Sequence, residues 1–206
     1  FLRLAAEQAG TTRLRYNGKE CDPFLLPERL SVADAFSRYA DIDLLATIRP
    51  DASTDLEALA SQVRRIGIRC APDDTWSDLL SRVLVAKIEP NLGLERMTVL
   101  DRYPAAEAAL ARPAADDARV AERFELYACG VELANGFGEL TNPQEQRRRF
   151  LLEMDEKERV YGERYPLDED FLSALAVMPP ASGIALGFDR LVMLATAAPS
   201  IDQVIW

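Results

Sequence analysis

Phe124-Glu125-Leu126-Tyr127-Ala128-Cys129-Gly130-Val131-Glu132-Leu133-Ala134-Asn135-Gly136-Phe137 decides how the chain is read. Bulky residues alternating with polar ones on either side of a short turn predict two antiparallel strands. A turn centred on Ala128 and Cys129 sets Glu125 opposite Glu132. Like charges directly opposed on a sheet destabilise it, so such a pair favours a cation between the carboxylates. Hard carboxylate oxygens suit magnesium, which takes one or two of them plus nucleotide phosphates. A solvent-facing acidic pair is the alternative. Glu139 follows Glu132 by seven residues, so strict alternation puts it on the opposite face. A bulge at Gly136 would bring Asn135 and Glu139 to the Glu132 side. A carboxylate beside an amide there suits an ammonium group, against the alternative of a surface glutamate.

Towards the C-terminus, Asn142, Pro143 and Glu145 read as N-cap, first helical residue and capping-box acid of a long charged helix ending near Gly162. Asp168 opens a shorter helix through Phe171, Leu172 and Leu175, which Met178-Pro179-Pro180 ends. A strand from Gly183 to Phe188 then feeds a helix starting at Asp189. Gly187 at this junction lets a flat aromatic ligand approach the backbone. Arg190 adds a forked cation to the positive end of the helix, a combination suited to phosphate. A structural Asp189–Arg190 pair is the other reading.

Towards the N-terminus the pattern is mainly helical. Ser31 caps a stripe of Val32, Phe36 and Tyr39; Thr54 and Glu57 form a capping box ahead of Leu56, Leu59 and Val63. Asp74 or Thr75 opens a helix carrying Trp76, Leu79, Leu80, Val83 and Leu84. Met97 to Leu100 reads as a strand and Pro113 to Asp117 as a loop. Residues 1–119 thus form a mainly helical region and 120–206 a hairpin-and-junction region of one α+β domain.

Composition narrows the chemistry. The 206 residues hold no histidine, which removes histidine bases and histidine-ligated metals from this segment. Cys21, Cys70 and Cys129 are scattered and odd in number, as expected in the reducing cytoplasm. With 24 basic against 34 acidic residues, nucleic acid is not the expected partner, and Arg147-Arg148-Arg149 reads as a solvated face. No apolar run suits a membrane span.

Taken together, Arg123-Phe124-Glu125, the stretch Glu132 to Thr141 and Gly183-Ile184-Ala185-Leu186-Gly187-Phe188-Asp189-Arg190-Leu191 resemble the amino-acid-pocket strands and motif 3 of lysine-specific class II aminoacyl-tRNA synthetases. A weaker likeness runs through Glu89-Pro90-Asn91 to Ser31-Val32-Ala33-Asp34-Ala35-Phe36. The resemblance implies an antiparallel sheet flanked by helices. It implies ATP at Glu132, Leu133, Gly187 and Arg190, with Arg190 catalytic, and Mg2+ at Glu125 and Glu132. A lysine-type amino acid would be bound by Glu139, Asn135 and Ala185. Within the family, Ala185 in place of the usual glycine points to the paralogues that join (R)-β-lysine to a lysine of elongation factor P, so that tRNA is not the expected partner. The Ala105 to Leu110 segment after Tyr103-Pro104 and the closing Leu191 to Ala195 point the same way. A tRNA-charging synthetase and a non-catalytic binding module are the alternatives. Motif 1 and the Phe-Arg-x-Glu core of motif 2 do not occur, so the expectation is a C-terminal portion, inactive alone, of a protein that dimerises when full length.

Overall fold

In the computed structural model, which describes residues 1–205, the chain begins with α1 (Leu2–Gln8) and the hairpin β1 (Leu14–Tyr16) and β2 (Lys19–Asp22). Next come β3 (Glu28–Ser31), α2 (Val32–Ala40), α3 (Leu56–Arg65), α4 (Trp76–Val83), β4 (Glu95–Arg96) and β5 (Thr98–Asp101). The C-terminal half adds β6 (Arg123–Ala128), β7 (Val131–Gly138), α5 (Pro143–Tyr161), α6 (Glu169–Leu175), β8 (Ser182–Leu186) and α7 (Phe188–Thr196). A three-stranded sheet runs β1-β2-β4, and a five-stranded sheet runs β3-β5-β6-β7-β8, antiparallel except for β3 beside β5. The first 119 residues therefore contribute five strands besides their helices. Of these only β5 was expected, over Met97 to Leu100; the other four are two to four residues long, too short for alternation to reveal.

The larger sheet separates two apolar clusters. Leu30, Leu100, Tyr103 and Tyr127 join Phe36, Leu59, Trp76 and Leu80 from α2, α3 and α4 on one side. Leu133, Leu126 and Leu186 meet Leu191 and Leu194 of α7, and Leu2 and Ala6 of α1, on the other. Full burial of a leucine or phenylalanine stabilises by about 1.5–3 kcal/mol. The helical stripes read from the sequence are the faces so buried.

Helix starts follow local chemistry, with some shifts from expectation. Ser31 caps α2 by accepting from the Asp34 N–H, and Thr75 with Asp78 forms a reciprocal capping box on α4. The cap of α3 is Asp55, since Thr54 is held in a bridge with Ile48. Asn142 accepts from the N–H groups of Gln144 and Glu145. Glu145 does not reach back as a capping-box acid; it pairs with Arg148 and Arg149. Nor is the arginine triplet a solvated face throughout. Arg149 is buried and donates to the carbonyls of Ala108, Ala109 and Ala111, pinning α5 onto the loop before β6.

The hydrogen bonds from Arg148 and Arg149 hold the Glu145 carboxyl at about 2, against an ordinary 4.5. A carboxyl depressed in the folded state stabilises fully above its unfolded value, and that contribution is lost as pH falls towards its folded value. Stability is therefore expected to drop by roughly 1–2 kcal/mol from this group between pH 4.5 and 2, allowing for its partial exposure. Urea midpoints across that range should fall less steeply in Glu145→Gln; identical slopes would contradict the pairing.

Candidate functional site

Cys129 and Gly130 both have positive φ and form a two-residue turn closing the Ala128–Val131 pair. The turn thus sits one residue later than expected, and a one-residue slip changes every cross-strand partner. Glu125 faces Asn135, not Glu132; Glu132 lies opposite Tyr127. The bulge is also elsewhere. Register jumps from Tyr127–Glu132 to Leu126–Ala134, leaving Leu133 as the extra residue. Gly136 stays in regular pairing with Phe124. A Cβ there would stand 2.6 Å from the Phe124 ring, so the glycine makes room for an aromatic neighbour rather than a bulge.

The bulge decides the geometry. Glu132 and Asn135 are three apart and would point oppositely in a regular strand; the extra residue returns both to the face of Arg123, Glu125 and Tyr127. Glu139, four residues on, keeps that face, and pairing of Asn135 with Ala185 brings β8 into the same array. Leu133 is placed differently. Its side chain is buried beneath the sheet against Leu191 and Leu194, and only its backbone belongs to the junction, where its carbonyl accepts from the Gly187 N–H at 2.8 Å.

Glu125 is the most constrained member. It is 7% exposed, yet fully partnered: Arg123 donates to Oε1 at 2.6 Å, and the neutral hydroxyls of Tyr103 and Tyr127 each donate to Oε2 at 2.6 Å. Arg123 also stacks 4.3 Å from the centre of the Tyr103 ring and donates to the Glu107 carbonyl. Burial, and then the Glu125 charge, raise both phenols above their ordinary range. Sequence reasoning assigned no role to Tyr103, Tyr127 or Arg123. The signal was present in Arg123-x-Glu125-x-Tyr127, one face of one strand.

Glu132 is freer. Its carboxylate lies 3.5 Å from Arg190 Nη1, which also donates to the Glu132 carbonyl at 2.9 Å. Glu89, in the short turn Glu89–Asn91, completes an acidic corner. Burial raises its pKa, and the charges of Glu125 and Glu132 add to the shift. Glu89, Glu125, Glu132 and Tyr103 line a cleft of about 210 Å3. Larger hollows of about 620 and 680 Å3 lie against α5, away from every sequence-predicted site residue. We favour the small cleft, because convergent polar groups rather than size mark a binding site. Among the described residues no three metal-ligating side chains converge as a closed ion site. Magnesium would therefore share Glu132, with Glu125 behind it, and complete its shell from phosphate and water.

Asn135 supplies a second fit. Its Oδ1 is buried without a hydrogen-bond partner, an omission costing about 1–3 kcal/mol that a cationic donor would relieve. Arg190 lies in the first turn of α7, and a Cβ at Gly187 would make ordinary van der Waals contact, at 3.5 Å, with the Arg190 side chain and the Leu133 carbonyl. A forked cation at a helix start suits phosphate.

Residues 22–206 match the family model described as tRNA synthetases class II (D, K and N). The chain is 45% identical over 183 residues to a Proteus mirabilis protein named elongation factor P–(R)-β-lysine ligase, covering 86% of this chain and 54% of that protein. It is 42% identical over 189 residues to a Klebsiella pneumoniae protein of the same name, covering 90% and 55%. It thus spans about half the length of the curated relatives it matches. No helix among the described residues is long and apolar enough to cross a membrane. On these matches, this chain belongs to the class II tRNA synthetases of the D, K and N type.

Proposed function

We propose that the full-length protein activates (R)-β-lysine with ATP as an adenylate and transfers it to a lysine side chain of elongation factor P in the cytoplasm. The observation that carries this is the single polar face on which Glu125, Glu132, Asn135, Glu139 and Ala185 stand, with Arg190 reaching Glu132 from α7. Arg190 would hold the ATP phosphates and Gly187 the adenine, with the Glu132 and Leu133 backbone alongside. The substrate carboxylate would attack the α-phosphorus as pyrophosphate leaves, and Glu132 would hold the magnesium that neutralises phosphate charge. Glu125, its oxygens engaged by Arg123, Tyr103 and Tyr127, would act from behind and not as the direct ligand the sequence suggested. Glu139 and Asn135 would receive the side-chain ammonium. Catalysis is then mostly positioning, since the attacking carboxylate is already a nucleophile. The relatives' name supports elongation factor P as acceptor. Residues 1–119 and 120–206 act as parts of one catalytic domain that dimerises in the full-length protein, and the isolated segment is expected to be inactive.

Supplying the full-length protein with labelled (R)-β-lysine, ATP and either elongation factor P or tRNA tests the acceptor. Label in the factor alone is expected; label in tRNA alone would instead indicate a tRNA-charging synthetase, and label in neither a binding module. Ala185 stands beside Asn135, where its methyl would narrow the space used by a substrate backbone. Ala185→Gly is expected to shift the kcat/KM ratio of (R)-β-lysine to ordinary lysine by about tenfold towards lysine, as one methyl is typically worth. An unchanged ratio would remove Ala185 from substrate choice.

A further inference from the structure

Glycine at position 183 is not demanded by the backbone. It is an exposed strand residue of β8, paired with Phe137 and without positive φ. What a larger residue there would move is the tip of one side chain, that of Glu139 just past the end of the neighbouring strand. A Cβ at 183 would stand 2.8 Å from Oε1 of Glu139, shorter by about half an ångström or more than ordinary non-bonded contact. The other strand glycines differ. At Gly136 a Cβ would also strike the Gly183 carbonyl, and at Gly138 it would strike Glu122, a residue paired with Arg112. Those two glycines serve packing, whereas among the described residues a methyl at 183 would displace only a carboxylate.

We propose that Gly183 is a specificity-determining residue: its bare Cα is the floor on which the Glu139 carboxylate lies, and it sets how deep an ammonium group must reach. The inference rests on the ammonium-binding role proposed for Glu139. Any side chain at 183 lifts the carboxylate outward while leaving strand pairing, the Glu125 cluster and Arg190 in place. A misplacement of about 1 Å typically costs up to ~100-fold in a positioned interaction. Only the amino-acid half of the site is affected.

The test is a double-mutant cycle in the full-length protein, with Gly183→Ala, Glu139→Ala and the pair. Calorimetric Kd for (R)-β-lysine, kcat/KM for the amino acid, KM for ATP and melting temperature are measured for each. Gly183→Ala alone is expected to weaken (R)-β-lysine binding by about 10- to 100-fold, with ATP KM within about twofold and an unchanged melting temperature. Added to Glu139→Ala, it should lower kcat/KM by less than about twofold, because no carboxylate remains to displace. A full second penalty in that background, or an equal rise in ATP KM, would overturn the role of Gly183 while leaving Glu139 as the ammonium receptor. Normal amino-acid binding by Glu139→Ala would instead overturn the receptor itself.

Discussion

Replacing Arg123 by methionine should destabilise the full-length protein by about 3–5 kcal/mol, the usual cost of stranding one member of a buried ion pair. Glu125 keeps only two phenols once the guanidinium is gone, and at 7% exposure it cannot recover the loss from water. The methionine preserves apolar contact with the Tyr103 ring, so the effect isolates the lost charge and hydrogen bonds. Because the penalty comes from the orphaned carboxylate, adding Glu125→Gln should return part of it, since the amide carries no charge and keeps an oxygen for the two phenols. Urea unfolding of the two variants checks both signs. A loss below about 1 kcal/mol for Arg123→Met would mean that Glu125 is held mainly by the tyrosines.

Glu139→Ala should raise the KM for the lysine-type amino acid by about 100-fold or more while leaving that for ATP within about threefold. A charge-assisted hydrogen bond contributes roughly 1.5–3 kcal/mol, and removing its acceptor also leaves a cation unpaired in a confined site. Glu139 stands at the end of β7 beside the start of β8, where its backbone N–H donates to the Ala181 carbonyl. The nucleotide-side residues Glu132 and Arg190 lie at the opposite end of the strand, against α7. Distance along the strand is the reason the two substrates separate. Steady-state kinetics with each substrate varied in turn decides it. Parallel losses for both would place Glu139 in a shared structural role.

Much of this arrangement was legible in the residues themselves. Caps at Ser31, Thr75, Asn142 and Asp168 marked helix starts, because a short polar side chain ahead of an apolar stripe satisfies free N–H groups. The hairpin and the strand-to-helix junction at Gly187 were legible for similar local reasons. Register was not. The turn falls at Cys129-Gly130 rather than Ala128-Cys129 because Cys129 adopts positive φ, an option rarely taken by a residue of its kind. The bulge at Leu133 depended on tertiary pull, since Leu133 is buried against α7 and draws the extra residue beneath the sheet. The contacts of Arg149 and of Tyr103 were hidden because their partners lie 38 to 41 and 22 residues away in sequence.

The central claim is that one face of β7 and β8, with Arg190, forms an ATP and lysine-type amino-acid site. Amino-acid-dependent exchange of labelled pyrophosphate into ATP by the full-length protein tests it most directly. The account predicts exchange that requires (R)-β-lysine and magnesium and is abolished in Arg190→Ala; exchange that persists without a lysine-type amino acid, or is unaffected by that substitution, would contradict it.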